Sequence, residues 1–66
     1  MKLTLNGETI EYAGEVTLAA LVCERGAAPE RVATMLNDEV VPRTARAATP
    51  LKTGDRVEML SFAGGG

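Results

Sequence analysis

The chain has 66 residues, with seven Lys and Arg against nine Asp and Glu for a formal net charge of -2, one cysteine and no histidine. Such a length holds one domain with one small core, and a single cysteine rules out an internal disulfide. Seven scattered basic residues offer no footprint for a phosphate backbone, and no apolar run is long enough for a signal peptide or a membrane span. The expected setting is a reducing cytoplasm, with the fold stabilised by packing of the 45% hydrophobic residues.

Residues 1–6 alternate, with Met1, Leu3 and Leu5 on one side and Lys2, Thr4 and Asn6 on the other, which predicts a half-buried strand. Asn6-Gly7 supplies the two positive-φ positions of a type I′ turn, and Glu8 to Tyr12 resumes strand character, so the chain opens with a hairpin. Thr17 is placed to cap a helix over 18–25 with Leu18, Leu21 and Val22 as its apolar stripe and Gly26 as its stop. Residues 31–37 carry apolar side chains on both faces, as an interior strand does. A turn at Asn37-Asp38-Glu39 leads to Val40-Val41, a short segment that Pro42 confines to a sheet edge or a strand end. Residues 43–48 have room for one helical turn before Thr49-Pro50, and Lys52-Thr53-Gly54-Asp55 makes a turn into a final strand over 56–62, with Val57 and Met59 facing the core. The order β-β-α-β-(β)-β describes an α+β domain over 1–66, a mixed sheet of four to five strands with one main helix packed across it. In this arrangement the first and last strands can lie side by side; if they pair parallel in the middle of the sheet, the segment between them is the crossover.

The final stretch Ser61-Phe62-Ala63-Gly64-Gly65-Gly66 ends in three glycines. Glycines lose much backbone entropy on ordering and have no side chain to pack, so residues 63–66 read as a flexible tail. Fully extended, the stretch from Phe62 onward reaches about 13 Å and fits a channel only as wide as a backbone. At its tip is a carboxylate able to attack a phosphoryl group. With no His, no glycine-rich phosphate loop and no metal-ligand spacing, the chain lacks the usual acids, bases and nucleophiles, and reads as a substrate rather than an enzyme.

Three segments in order, residues 36–43 (LNDEVVPR), residues 49–58 (TPLKTGDRVE) and the terminal Gly65-Gly66, together with Asn6-Gly7-Glu8 and the helix after Thr17, resemble the ThiS family of sulfur-carrier proteins of thiamine biosynthesis. The resemblance implies a ubiquitin-like β-grasp fold. It implies that the carboxylate of Gly66 is adenylated and converted to a thiocarboxylate, with Gly65, Gly64, Ala63 and Phe62 forming the tail that enters the partner. The partners implied are an E1-like, ThiF-like adenylyltransferase using ATP and Mg²⁺, a sulfur donor such as a cysteine desulfurase or sulfurtransferase, and a ThiG-like thiazole synthase as acceptor. The carrier itself would bind no cofactor, no nucleic acid and no membrane. The chain departs from the family pattern in carrying Arg46 where a Trp is frequent, and Gly64 before the glycine pair. The first change is expected to leave Arg46 on the surface, and the second lengthens the flexible tip.

Other residues keep two readings at this level. Phe62 either packs on the second face of the sheet or forms an apolar docking spot at the root of the tail. Cys23, round the helix from Leu18, is expected partly exposed and incidental rather than sulfur-handling. Arg43 and Arg56 read as solvated or paired surface charges, with partner docking as the second reading, and Asp55 as a turn residue. Carriage of sulfur for another pathway (molybdopterin, cysteine or a secondary metabolite) shares the same tail chemistry, and a ubiquitin-like protein modifier is the rival of a different class.

Overall fold

The computed structural model describes residues 1–62. Five strands, β1 (Lys2–Leu5), β2 (Glu8–Glu11), β3 (Val32–Leu36), β4 (Glu39–Val41) and β5 (Arg56–Ser61), form one sheet in the order β2-β1-β5-β3-β4. The one α-helix among the described residues, α1 (Leu18–Glu24), lies against one face, and Pro29–Arg31 and Arg43–Ala48 form short 3-10 helices. β5 runs parallel to β1, with Leu5 opposite Val57, and antiparallel to β3, with Leu36 opposite Val57 and Val32 opposite Ser61. First and last strands thus do lie side by side and parallel, the arrangement the element order allows.

Both hairpins close through two-residue turns whose residues have positive φ: Asn6 (51°) and Gly7 (83°) in the first, Asn37 (50°) and Asp38 (73°) in the second. This twist matches that of the flanking strands, and Asn and Asp are the residues other than Gly that best tolerate it. The side chains of the two asparagines then do something further. Asn6 donates from Nδ2 to the Met59 carbonyl (3.2 Å) and accepts from the Met59 N–H at Oδ1 (2.8 Å). Asn37 accepts from the Arg56 N–H at Oδ1 (2.9 Å), while its own N–H donates to the Arg56 carbonyl (2.7 Å). Each turn thereby reaches over to β5, one from either side.

Helix α1 begins where the Thr17 hydroxyl accepts the Ala20 N–H (3.2 Å). It ends in a left-handed Gly26 (φ 75°), with Gly26 N–H donating to Cys23 O (3.0 Å) and Ala27 N–H to Val22 O (3.3 Å). Those two bonds satisfy carbonyls that a helix end leaves open. Leu18, Leu21 and Val22 are buried, the first two against Leu3, Tyr12, Leu51 and Val57 in the central cluster, with Met59 and Leu36 packed beside it. The segment after the second 3-10 helix is stitched to the start of α1 by Leu18 N–H to Thr49 O (2.9 Å) and Leu51 N–H to Val16 O (2.8 Å).

Several element bounds differ from the expectation. Arg31 belongs to the 3-10 turn that Pro29 starts, so β3 begins at Val32; Phe62 lies just past the end of β5; and residues 43–48 make two 3-10 turns rather than one helical turn. The larger correction concerns Arg46, expected on the surface and in fact only 4% exposed. Pro42 has no N–H and ends β4 after Val41, which pairs with Thr34, so the Val32 carbonyl two residues along β3 has no strand partner on that side. Arg46 fills the gap. Its Nη2 donates to Val32 O, Nη1 to Pro29 O (2.9 Å) and Nε to Thr34 Oγ1 (3.0 Å), and that hydroxyl in turn donates to Val41 O (2.9 Å). Burial, and then the neighbouring Arg43, pull the guanidinium pKa below its ordinary value. An Arg46→Ala variant leaves these oxygens without donors and is expected to lose about 2–4 kcal/mol of unfolding free energy, read by urea titration. A loss below about 1 kcal/mol would mean that water replaces the guanidinium at no cost.

Asp55, expected in a turn, is in that turn and is also buried (4% exposed). Burial alone would raise its pKa, but the bonds from Asn37 Nδ2 (3.0 Å) and Lys52 N–H (2.8 Å), with the Lys52 ammonium 3.4 Å away, outweigh it and hold the carboxyl below its usual range. A depressed carboxylate pKa adds stability that is present above the unfolded value, about 3.9, and is lost as pH falls through the lower folded value. Asp55→Asn is therefore expected to lower stability at neutral pH and to flatten the acid limb of the stability-versus-pH curve, measured by thermal unfolding from neutral to acid pH. An unchanged acid limb would remove Asp55 from that role.

Candidate functional site

The sequence directs attention to the end of β5, and its position follows from the hydrogen bonds that fix that strand. Thr4 N–H donates to Asp55 O (3.0 Å) and Asn6 N–H to Val57 O (2.9 Å) on one side, and β3 pairs with Val57 through Ser61 on the other. One further bond, Phe62 N–H to Arg31 O (3.0 Å), carries the attachment beyond the last strand residue. Phe62 is thus the final residue held to the sheet among those described. Ala63, Gly64, Gly65 and Gly66 lie outside the described residues.

Phe62 is 48% exposed and stands outside the central cluster. Leu60, opposite Ala33, is 62% exposed, and Val40, opposite Met35 on the edge strand, is 73% exposed. Alternation puts Leu60 and Val40 on the sheet face opposite α1, one on β5 and one on the edge strand, with Ala33 and Met35 of β3 between them. Beside it, between Phe62, β3, β4 and the second 3-10 helix, is an open cavity of about 280 Å³ walled by Val32, Val40, Pro42, Arg43 and Arg46. Isolated exposed hydrophobics are ordinary, whereas exposed hydrophobics grouped beside a cavity are candidates for a contact surface.

The remaining residues singled out in the sequence divide between this region and others. Arg43 is exposed and shares the cavity with Phe62. Arg56 is at the opposite end of β5, about 20 Å away by strand rise, where it forms a two-pronged pair with Asp38 (Nη1–Oδ1 and Nη2–Oδ2, both 3.1 Å). That hydrogen-bonded pair pushes the Arg56 pKa up and the Asp38 pKa down. Cys23 is exposed, as expected, and borders a smaller cavity of about 140 Å³ that it shares with Arg43 and Arg46 but not with Phe62. Arg46 is the residue at this site that the sequence reading misplaced, and its only signal was the early stop that Pro42 forces on β4. Among the described residues no group of His, Cys, Asp and Glu is arranged to hold a metal ion, and no helix is long and apolar enough to cross a membrane. The titration shifts found belong to structural contacts: those above, and Tyr12, whose buried hydroxyl donates to Glu15 O (2.6 Å) and whose pKa is raised by burial and by Glu24 and Glu15.

A five-stranded mixed sheet with a parallel pairing of first and last strands and one helix across it is the ubiquitin-like β-grasp. Within that class, residues 3–66 match the ThiS family, and the chain belongs to it. The crystal structure of the thiamine biosynthesis protein ThiS from Geobacter metallireducens superposes with a TM-score of 0.84 at 40% identity over the full length of both chains. The solution structure of a thiamine biosynthesis protein from the same organism gives 0.81 at 42% identity, covering all of this chain and 88% of that one. Two proteins named thiazole synthase, from Paramagnetospirillum magneticum (38% identical) and Magnetococcus marinus (41%), match all 66 residues. The chain spans 20% of the length of each of these two relatives.

If the Phe62 ring serves contact rather than core, Phe62→Ala costs less than about 1.5 kcal/mol of stability, against the ~3–5 kcal/mol that truncating a buried Phe costs. Chemical denaturation checks this, and a loss in the upper range would assign the ring to the core.

Proposed function

We propose that the protein is a sulfur carrier for thiamine biosynthesis, acting through a carboxylate at Gly66. The observation that carries this reading is the family match across residues 3–66, which includes Gly65 and Gly66, three and four residues beyond Phe62, the last held residue among those described. A carboxylate is a poor electrophile because expelling oxide or hydroxide is unfavourable. Attack of a Gly66 carboxylate oxygen on the α-phosphorus of ATP, within an E1-like partner, forms an acyl adenylate and releases pyrophosphate. The terminal sulfur of a persulfide then attacks the acyl carbon, the C–O bond to AMP breaks, and a thiol cleaves the resulting acyl disulfide to leave the thiocarboxylate. This chain's own part is to present a backbone thread with no side chains to clash; the partner supplies the nucleotide site, Mg²⁺ and the charges that stabilise the leaving group.

Thiazole synthase is the acceptor this reading favours. Two polypeptides of that name each contain a region similar to this chain from end to end, which argues that carrier and acceptor function together. The exposed hydrophobics Val40, Leu60 and Phe62 supply apolar area for docking the activating partner or the acceptor.

Incubation with the activating partner, ATP, Mg²⁺ and a persulfide donor is expected to raise the intact mass by the difference between sulfur and oxygen. Removal of Gly66 is expected to abolish ATP–pyrophosphate exchange with an unchanged unfolding midpoint. Exchange that persists in the truncated protein would refute the role of Gly66. Recovery of the protein joined to lysines of other proteins would favour a modifier instead. Cys23→Ser is expected to leave sulfur transfer intact, and loss of transfer with an intact fold would place Cys23 in the pathway.

A further inference from the structure

The cavity beside Phe62 has walls of two kinds. Val32, Val40, Pro42 and Phe62 make it apolar, while Arg43 and Arg46 bring two positive charges to it. Neither arginine takes part in the three ion pairs found among the described residues. Arg46 is hydrogen-bonded only to neutral oxygens, the carbonyls of Pro29 and Val32 and the Thr34 hydroxyl. Those bonds satisfy its geometry and leave its charge uncompensated in a nearly dry position. A guanidinium has five N–H groups, and three bonds are formed, so donors remain for a further acceptor. Glu30 also borders the cavity, yet it forms no pair with either arginine.

We infer that this groove is a docking site for a protein partner that inserts an apolar side chain next to a carboxylate. The apolar side chain fills the space between Phe62 and Pro42, and the carboxylate supplies the counter-charge that Arg43 and Arg46 lack. Charge complementarity selects this occupant: an apolar segment alone would bury two cations without compensation, which is costly. Arginine rather than lysine suits the task, since with one bond made from each of its three nitrogens the guanidinium still has an N–H on Nη1 and on Nη2 for a carboxylate. The groove opens at the start of β3, where the Phe62 N–H is fastened to Arg31 O, so a partner seated here is in contact with the last held residue among those described. The inference stands whether or not the sulfur-carrier reading does, because it rests on the groove alone.

The test uses the full chain, isotope-labelled for nuclear magnetic resonance and titrated with the blocked peptide acetyl-Gly-Leu-Glu-Gly-amide. The expected result is saturable shifts confined to Val40, Phe62, Arg43 and the Arg46 Nε–H. Affinity should fall about tenfold when the peptide's Glu is replaced by Gln or when the protein carries Arg43→Gln. Arg43→Gln is used because Arg43 is exposed, whereas replacing Arg46 disturbs the fold. Equal binding of the Glu and Gln peptides, or an absence of saturable shifts, would overturn the inference. The same shifts produced by acetate alone would replace it with a small-anion site. Shifts that follow protein concentration instead would replace it with self-association.

Discussion

The hydrogen bonds on the two sides of β5 are what make one sheet out of two hairpins. Without them β1-β2 and β3-β4 would be separate two-stranded units, each too small to persist in water. The parallel contact with β1 is short, covering Thr4 with Arg56 and Leu5 with Val57, so the side chain of Asn6 matters on that flank, extending the attachment to Met59 where the ladder has run out. Asn37 does the same for Arg56 on the other flank. Two turn residues selected for a positive φ thus also supply the strand with peptide-like partners, and the length of β5 held in place is what sets where Phe62 leaves the sheet.

Arg46 is the second point at which a backbone requirement is met by a side chain. Ending β4 at Pro42 keeps that edge strand to three residues, which gives another chain little to pair with. The consequence is an open carbonyl on β3, and the guanidinium that closes it brings a charge into the interior. The same residue therefore links the shortness of the edge, the stability of the corner and the electrostatic character of the groove beside Phe62. A tryptophan at this position could offer one N–H donor where Arg46 provides three bonds.

Local chemistry made most of the architecture readable. Alternation in residues 1–12, the Asn6-Gly7 turn, the Thr17 cap with the 18, 21, 22 stripe, and the Gly26 stop each act over a few residues, and the element types followed from them. Pro42 likewise announced an edge. What the sequence concealed depends on partners distant along the chain. Arg46 bonds to residues 12 to 17 positions away, so an Ala-rich stretch around an arginine looked like solvent-facing surface. The carboxyl of Asp55 showed its turn role, through Lys52, but not its burial, because Asn37 comes from another hairpin. At the site, the glycine pair was recognisable through family resemblance, whereas the cavity next to Phe62 arises from four segments meeting and has no local signature.

The placement of β5 also governs the order in which the molecule can be made. It is the last strand among the described residues, yet it occupies the middle of the sheet, between partners that precede it in the chain. Until residues 56–61 are free of the exit tunnel, Leu3, Leu18 and Leu21 have no Val57 to close over them, and the nascent chain holds two loosely associated halves. Closure of the core thus waits for residues 56–61, and a chain truncated before that strand would emerge with its apolar faces open, ready for proteolysis rather than for use.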